Sequence, residues 1–423
     1  MSILPVLLYV GIDCGTQNHY AYLLDPDAQS RGHRSFGHSP EAFDELVAWL
    51  LAHPQSEGDP SRVACAIESP RGALVETLLA HGFQVFAINP KQLDRFRDRH
   101  SPAGAKDDRR DAFVLADSLR TDGPLFHRVQ PEPDELLALR EHSRMRCALK
   151  SQEVRLQNQI RDRLRGYFPQ MLELATDMDD PLLAALLKQW PTPEQAARCR
   201  VDKVRKILKE RRIRRVSAEE VHTLLRSARP CGAPARGEAE ALCLVMELEQ
   251  LALLHAQRAT LDAAIAEDVQ ALARLQENGS HHTDEPDDVA ILRSLPGVGP
   301  VILGGLLAEG WQGFHDRDIE HLRTHGGIAP VTLQSGRLRL VRLRRACNGY
   351  LRDALHQWAQ AALATDSRAH EHYLNCRARG HSHGRALRGV ADMLLRLALG
   401  MLQSRTLYDA DRWHTRRAPR QAA

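Results

Sequence analysis

Hydrophobic positions in the first part of the chain alternate between short apolar runs and helical patterns. The runs LLYVGID, YAYLLD, RVACAIES and FQVFAIN have the length and content of strands, and HRSFGHS is a further candidate. EAFDELVAWLLAH, GALVETLLAHG and the segment from Asp107 to Leu119 instead carry apolar residues at helical spacing. The order βββαβαβα predicts a mixed α/β layer, with helices covering the sheet, over residues 1–125.

Two later segments are free of proline and long enough for unusually long helices. They run from Asp134 to Phe168 and from Glu238 to Asn278. The first would span about 50 Å at a rise of about 1.5 Å per residue. Its apolar face, which we expect to be buried, consists of Met145, Leu149, Leu156, Ile160 and Leu164. Periodicity leaves two interpretations open, a coiled-coil hairpin or dimerisation arm, and an ordinary helical bundle.

These segments predict four regions along the chain. After the α/β domain of residues 1–125, residues 130–280 form a coiled-coil region with a compact helical insert at about 175–235. The polar stretch NGSHHTDEPD is a linker, and residues 285–405 form a mostly helical C-terminal domain. Residues 406–423 are a basic tail.

Composition excludes several classes of protein. The 423 residues are 43% hydrophobic and 26% charged, which is enough to build cores. No apolar run reaches the length of a membrane span, and the N-terminal MSILPVLLYVGID reads as a strand rather than a signal peptide. The 8 cysteines include no CxxC pair, so we expect a reduced cytoplasmic protein.

The formal net charge of +3 hides two basic stretches, Arg200 to Arg215 and Arg337 to Arg345. Such stretches are often solvated helix faces, but they also neutralise phosphates along nucleic acids. Charge alone does not decide between the two.

Four carboxylates mark a candidate metal site. Asp13 ends the first strand and Glu68 ends the strand RVACAIES, while Asp108 and Asp111 are three residues apart on one helix face. Strand ends are where an α/β sheet presents ligands, and a cluster of carboxylates attracts divalent cations. A pair of such cations activates an attacking oxygen and stabilises a leaving oxygen at a phosphodiester. The alternative is that these acids cap loops and face solvent.

A serine followed by glycine and arginines marks a second candidate. Ser335 precedes Gly336 and a basic run that could clamp a phosphate. The arginines of that run are Arg337, Arg339, Arg342, Arg344 and Arg345. The alternative is a Ser-Gly turn followed by a basic strand. In LPGVGP, Gly297 and Gly299 could expose backbone N–H groups to a phosphate, as in a helix-hairpin-helix unit, or serve packing alone.

Together these segments resemble the insertion-sequence-110 family of transposases. GIDCGTQNH, AIESPRG, INPKQLDRFR and AKDDRRDAFVLAD are similar to the family's RuvC-like domain. LPGVGPVILGGLLAE, THGGIAPVTLQSGRLR, CNGYLRDALHQWA and AHEHYLNCRARGHSHGRALRGVADMLL are similar to its transposase domain. The resemblance implies a ribonuclease-H-like N-terminal domain and a helical C-terminal transposase domain with a helix-hairpin-helix-like unit.

The resemblance also implies roles for individual residues. Its DEDD metal ligands fall on Asp13, Glu68, Asp108 and Asp111, and its nucleophile falls on Ser335. The family often has Ser or Thr where Asp107 stands, so Asp107 is an alternative to Asp108, although the three-residue step to Asp111 favours Asp108. The implied cofactor is Mg²⁺ or Mn²⁺. The implied partners are donor and target DNA, a structured noncoding bridge RNA, and further copies of the chain in a dimer or tetramer.

We therefore expect a DNA recombinase that cuts and rejoins strands through a phosphoserine intermediate, acting in the cytoplasm at the nucleoid. Two alternatives are a metal-only nuclease resembling a junction resolvase and a non-catalytic nucleic-acid-binding assembly protein. The first releases free DNA ends, whereas the recombinase leaves protein attached to DNA.

Overall fold

The chain divides into two compact units, Met1–Pro133 and Asp134–Ala423. The computed structural model describes residues 6–68, 70–88, 90–100, 107–175, 177–229, 231, 233–279, 286–336 and 338–411. Within these ranges, no helix combines the length and the apolar character needed to cross a bilayer. Each unit has its own hydrophobic core.

The first unit is a mixed α/β layer, as the sequence predicts. Its strands within the described residues are β1 (Leu8–Cys14), β2 (Asn18–Leu24), β3 (Ser30–Gly37), β4 (Val63–Ile67), β5 (Gln84–Ala87) and β6 (His127–Arg128). They form one sheet in the order β3-β2-β1-β4-β5-β6. The pairs β3–β2, β2–β1 and β5–β6 are antiparallel, whereas β1–β4 and β4–β5 are parallel.

Helices cover both faces of this sheet. They are α1 (Pro40–Leu51), α2 (Ala73–Ala80), α3 (Pro90–His100) and α4 (Asp108–Asp122). Leu46 of α1 and Leu78 of α2 lie in the core on one face, while Leu93 of α3 and Leu115 of α4 lie in the core on the other. Because both faces are covered, all five residues of β4 are buried, which explains its continuous apolar sequence VACAI.

The second unit is mainly helical. Its first helices are α5 (Asp134–Tyr167), α6 (Met171–Leu174), α7 (Pro181–Gln189), α8 (Pro193–Ala196), α9 (Val201–Glu210), α10 (Ala218–Ser227) and α11 (Pro234–Gly279). The remaining elements are α12 (Asp288–Ser294), α13 (Pro300–His315), α14 (Ile319–His325), β7 (Val331–Ser335), β8 (Leu338–Arg342), α15 (Gly349–Thr365), α16 (Ser367–Ala378) and α17 (His383–Ser404). The strands β7 and β8 form an antiparallel hairpin.

The long helices α5 and α11 run antiparallel to each other. Arg163 near the end of α5 pairs with Glu247 near the start of α11 at 2.7 Å, whereas His142 near the start of α5 contacts Asp268 at 2.7 Å. The short helices α6 to α10 lie between them in sequence and share a core with them that includes Ile160 and Leu244. The pair is therefore a helical hairpin that carries an insert between its two arms.

The predicted apolar face of α5 is buried except at one position. Leu149, Leu156, Ile160 and Leu164 are buried, but Met145 is 56% exposed, so its predicted burial is wrong. In the part of α5 that contains Met145, the residues Leu139 and Ser143 of the helix face the C-terminal core. Met145 follows Ser143 by two residues, or about 200° around the helix, and therefore faces away from that core. The buried face at this part of α5 includes polar residues such as Ser143, so a pattern of hydrophobic residues alone does not identify it.

Candidate functional site

Two of the predicted acids meet at one edge of the sheet. β1 and β4 are parallel neighbours with Ile12 opposite Ile67. Asp13 follows Ile12 and Glu68 follows Ile67, so both carboxylates emerge at the same end of adjacent strands. Open α/β sheets present their ligand-binding groups at such strand ends.

Helix α4 brings the other two acids to this edge because a glycine lets it lie against β1. A Cβ atom on Gly11 would stand 1.9 Å from the backbone oxygen of Ala112 and 2.5 Å from the nitrogen of Ala116. Asp108 and Asp111 occupy the first turn of α4. Asp111 is 2% exposed, whereas Asp108 is exposed to solvent.

We predict that Gly11→Ala displaces α4 and lowers the melting temperature markedly. The added methyl group meets backbone atoms that cannot rotate away, and overpacking of this kind typically costs about 1–3 kcal/mol or more. Gly37→Ala is the matched control, because its Cβ would meet only Ala42 Cβ at an ordinary 4.0 Å. Differential scanning calorimetry of both variants measures the effect. An unchanged melting temperature for Gly11→Ala would contradict the close packing of α4 on β1.

The four acids act on one another electrostatically. The pKa of Asp13 is raised from its ordinary 3.8 to about 6, mainly by burial and additionally by the negative charges of Asp111, Asp108 and Glu68, while Arg97 lowers it. Asp108 is one of the charges that raise this pKa most, whereas Asp107 is the exposed N-cap residue of α4. The geometry therefore supports Asp108 rather than Asp107 as the third member of the cluster.

Arg97 of α3 is a member of this site that the sequence analysis missed. Its guanidinium donates two hydrogen bonds to Asp111, at 2.8 and 3.0 Å, and a third to Asp94 at 2.8 Å. One cation thus offsets part of the charge of four carboxylates. The only sequence signal was its place in INPKQLDRFR, which predicts no contact with Asp111.

This donor set fits a divalent cation. Carboxylate oxygens are the ligands that Mg²⁺ and Mn²⁺ prefer. Burial is the main cause of the raised pKa of Asp13, and the neighbouring carboxylates add to it although Arg97 opposes them. The residues that would hold such an ion are Asp13, Glu68, Asp108 and Asp111.

A second group with metal-ligand chemistry lies in the helical hairpin and fits an ion poorly. The side chains of Glu153, Asp179 and His255 approach one another closely enough to share an ion. Glu153, however, is 1% exposed and already pairs with Lys150 at 2.9 Å and with Arg258 at 2.5 Å. Because the positive side chains of Lys150 and Arg258 both pair with Glu153, we interpret this group as a buried ion-pair network.

Ser335 is the last residue of β7 and is exposed. Gly336 follows with φ +53°, a left-handed conformation that favours glycine, and the chain returns with Leu338 opposite Ser335. The serine therefore stands at the tip of a two-stranded hairpin, accessible to a large substrate.

The predicted arginines are spread over the hairpin. Arg337 lies outside the described residues. Gln334 faces Arg339 across the hairpin, so Arg339 projects from the opposite face to Ser335, while Arg342 shares the face of Ser335 four residues further along β8. Arg344 donates to the carbonyl oxygen of Ala329 at 3.3 Å, at the base of the hairpin, and Arg345 is exposed beside it. Although these arginines are close in sequence, the side chains of Arg339, Arg342 and Arg344 do not converge on a single site.

A polar network that the sequence analysis did not identify holds the base of the hairpin. Asn348 caps α15, and its side-chain amide donates to the buried carboxylate of Glu309 at 2.6 Å. Arg144 of α5 donates two hydrogen bonds to Glu309, at 2.6 and 3.0 Å. The chain that leaves β8 is thereby tied to both α5 and α13.

The helix-hairpin-helix-like motif has a structural explanation at one of its glycines. Gly297 has φ +77°, and a Cβ there would stand 2.7 Å from the backbone nitrogen of Ala362. Trp358 of the same helix donates to the carbonyl oxygen of Pro296 at 3.0 Å. Packing against α15 therefore accounts for Gly297. Gly299, the N-cap of α13, is exposed with open space around its Cβ position.

Comparisons with known proteins identify the class to which this fold and these residues belong. A transposase model for the DEDD transposases of IS110 elements matches residues 10–169, and a model of the transposase IS116/IS110/IS902 family matches residues 289–374. The first match covers the carboxylate cluster and the second covers the serine hairpin. The chain is an enzyme of the transposase class.

Relatives of this class span nearly the whole chain. It is 31% identical over 416 residues to the mini-circle putative transposase for IS117 of Streptomyces coelicolor, covering 96% of both proteins. It is 46% identical over 211 residues to a putative transposase of Sinorhizobium fredii, covering 50% of this chain and 58% of that protein. An uncharacterised protein of insertion element IS116 from Streptomyces clavuligerus is 28% identical over 407 residues, 95% of this chain and 96% of that protein. The chain belongs to the IS110 family of transposases.

Proposed function

We propose that this transposase cuts and rejoins DNA through a covalent phosphoserine link at Ser335, assisted by a divalent cation at the carboxylate cluster. The observation that carries the proposal is the convergence of Asp13, Glu68, Asp108 and Asp111 at one sheet edge in a chain of this family. Acids that merely capped loops would not be gathered with such mutual repulsion.

The sheet topology supports a ribonuclease-H-like assignment for the first unit. Three antiparallel strands, β3, β2 and β1, are followed in the sheet by the parallel strands β4 and β5. The acids stand at the end of the central strand β1 and of its parallel neighbour β4, with α4 across them. This is the arrangement expected of a RuvC-like nuclease domain.

The proposed chemistry uses the serine hydroxyl as the nucleophile. The Ser335 oxygen forms a bond to phosphorus, its proton leaves, and the bond from phosphorus to one strand breaks, so that the released strand end takes up a proton. Attack by a second strand end reverses these steps and frees Ser335. A bound divalent cation supplies polarisation of the phosphate and activation of the attacking oxygen. Because the covalent link keeps the bond energy, no nucleotide cofactor is required.

A structured noncoding RNA is the proposed guide, as the family resemblance implies. The segment from Arg200 to Arg215 supports contact with a second nucleic acid. Some of its cations are engaged within the protein, Arg205 with Glu219 at 2.7 Å and Arg215 with Asp180. Several others are exposed and form no ion pair among the described residues: Lys209, Arg211, Arg212 and Arg214. Such a surface can neutralise phosphates.

A homodimer or tetramer is the proposed assembly. Exposed apolar side chains follow one face of α11 at coiled-coil spacing, namely Leu242, Met246 and Leu253. The buried residues Leu149 and Leu156 instead belong to the core of a single chain. Oligomerisation is therefore proposed to use the outer face of α11.

We predict that Leu242→Glu together with Leu253→Glu converts the oligomer into a monomer without a fall in melting temperature. The charges would be desolvated only at an interface between chains. Light scattering with DNA and RNA present measures the mass. Ala259→Glu is the control, because Ala259 is exposed on the same helix but lies about 100° or more away from the face of Leu242 and Leu253. Charges at Leu149 and Leu156 should unfold the chain instead. An unmodified protein that remains monomeric would contradict the assembly.

The test of the proposed function is to trap the enzyme on DNA. A duplex carrying an end of the element is incubated with the full chain, Mg²⁺ and RNA, then denatured, and the protein–DNA adduct is digested and located by mass spectrometry. We expect a nucleotide on Ser335. Cleaved DNA with free ends and no adduct would support the metal-only nuclease, and intact DNA would support a non-catalytic binding protein.

A further inference from the structure

A cavity of about 280 Å³ lies beside the serine hairpin in the second unit. Its walls come from β8, from the segment after α14, and from α16 and α17. Val341 and Leu343 supply an apolar side, and the remaining wall is rich in positive charge. The basic residues that line it are Arg323, Arg342, His381, Arg385 and Arg388.

Most of this positive charge is uncompensated. Among the residues that the structure describes, Asp392 is the one carboxylate that lines the cavity, and it is engaged by Arg323 at 2.6 Å and by Arg396 at 3.3 Å. Arg342, Arg385 and Arg388 form no ion pair or hydrogen bond with any residue that the structure describes. Three guanidinium groups therefore face the same cavity without an ion-pair partner among the described residues.

Arg388 is half-buried, which makes its lack of a partner costly. Burial lowers the pKa of Arg388, and the neighbouring charge of Arg385 lowers it further. A buried cation without a counter-ion is destabilising unless a ligand completes the site. Both arginines lie in the first two turns of α17, whose N-terminus adds a partial positive charge.

We propose that this cavity binds a phosphodiester group of the DNA strand whose scissile phosphate reaches Ser335. This inference rests on the proposed function. Arg342 joins the two features, because it lines the cavity and also shares the face of the hairpin that carries Ser335. Guanidinium groups are well suited to such a phosphate.

The spacing indicates which phosphate would occupy the cavity. Arg342 lies four residue steps along β8 from Leu338, the position opposite Ser335, which is roughly 13 Å at about 3.3 Å per step. A strand of duplex DNA advances about 3.4 Å per nucleotide along the helix axis. The cavity would therefore hold a phosphate about four steps from the one that Ser335 attacks. Its role is to fix the register of the strand.

The test measures DNA binding by the full chain in EDTA, where no strand is cut. The probes are a duplex DNA of about 30 base pairs and a single-stranded RNA of the same sequence, with fluorescence anisotropy read between about 50 and 200 mM salt. The variant is Arg385→Gln with Arg388→Gln. The control, Arg128→Gln with Arg274→Gln, removes the same charge at exposed positions that do not line the cavity.

We expect the cavity variant to bind the duplex at least about tenfold more weakly, with a salt slope lower by about one to two, as for one or two lost phosphate contacts. The control should change affinity by less than about threefold. The melting temperature of the cavity variant without nucleic acid should be unchanged or higher, since the unpaired and half-buried charge of Arg388 is removed.

Four outcomes would overturn the proposal. They are unchanged duplex binding by the cavity variant, equal losses in the variant and the control, a loss confined to the RNA probe, and a lowered melting temperature that accounts for the loss. Each is independent of the adduct experiment, because binding in EDTA involves no chemistry. A duplex-specific loss without any serine adduct would keep the cavity and reject the phosphoserine mechanism. An adduct at Ser335 with unchanged duplex binding would keep the phosphoserine mechanism and reject the cavity.

Discussion

Replacing Ser335 with alanine is expected to abolish both the covalent protein–DNA adduct and strand exchange. The substitution removes the oxygen that would bond to phosphorus, and losing a covalent nucleophile usually costs at least about a thousandfold in rate. DNA and RNA affinity should stay within about twofold of the unmodified protein, because binding rests on many phosphate contacts. Ser335→Cys is expected to retain a trace of activity.

The matched control for this prediction lies on the same strand. Thr332 is also an exposed hydroxyl residue of β7, but it stands three residues away and therefore projects from the opposite face. Thr332→Ala should exchange strands at nearly the normal rate. Strand exchange by the Ser335→Ala chain, or a nucleotide attached to a different residue, would reject the serine mechanism and favour the metal-only nuclease.

The second large effect is expected at the carboxylate cluster, where function and stability should separate. Asp13→Asn, Glu68→Gln and Asp111→Asn should each abolish cleavage, because each removes a proposed metal ligand. Their effects on the melting temperature of the metal-free protein should differ in sign. Asp13→Asn removes a disfavoured charge and should raise the melting temperature near pH 7.5. Asp111→Asn weakens the ion pair with Arg97 and should lower it.

The pH dependence follows from the direction of the Asp13 shift. Its folded-state pKa of about 6 lies above the ordinary 3.8, so the folded chain binds more protons than the unfolded chain between these values. The contribution of Asp13 to stability therefore falls as the pH rises through this window. The melting-temperature gain of Asp13→Asn should be largest above pH 6 and should vanish below the ordinary carboxyl range.

Calorimetry from pH 4 to 8 without metal checks this sign, and titration with Mg²⁺ or Mn²⁺ should stabilise the unmodified protein but not the variant. Asp27→Asn, in an exposed turn, is the control and should change neither property. A stable variant that still binds the ion, or a lowered melting temperature at pH 7.5, would contradict the assignment.

Much of the first unit could be predicted from its sequence because the relevant signals are local. Alternating or continuous apolar runs predicted five of its six strands, and the buried sequence VACAI indicated a strand covered on both faces. The two-residue strand β6 and the helix α3 were not predicted from the sequence. The sequence of α3 is strongly polar, and without an apolar face a helix is hard to recognise.

The candidate sites include contacts that depend on tertiary packing and could not be predicted from neighbouring residues in the sequence. The acids were predicted from their positions at strand ends, but Arg97 was not, because its contact with Asp111 depends on how two helices pack. The arginines after Ser335 read as one cluster along the chain, whereas strand alternation distributes them over both faces of a hairpin. The cavity with Arg385 and Arg388 joins β8, which ends at Arg342, to α17, which begins at His383, and no pattern along the chain indicates this contact.

The hairpin that carries Ser335 has a consequence for the dynamics of the enzyme. Two strands with mostly exposed side chains are marginally stable by themselves, and among the described residues the hydrogen bonds that tie this hairpin to the core lie at its base, through Asn348 and Glu309. Amide hydrogens near its tip should therefore exchange with solvent much faster than those of β1 or β4. We therefore expect substrate binding to order the proposed nucleophile, so that the serine is positioned for reaction mainly when DNA is present.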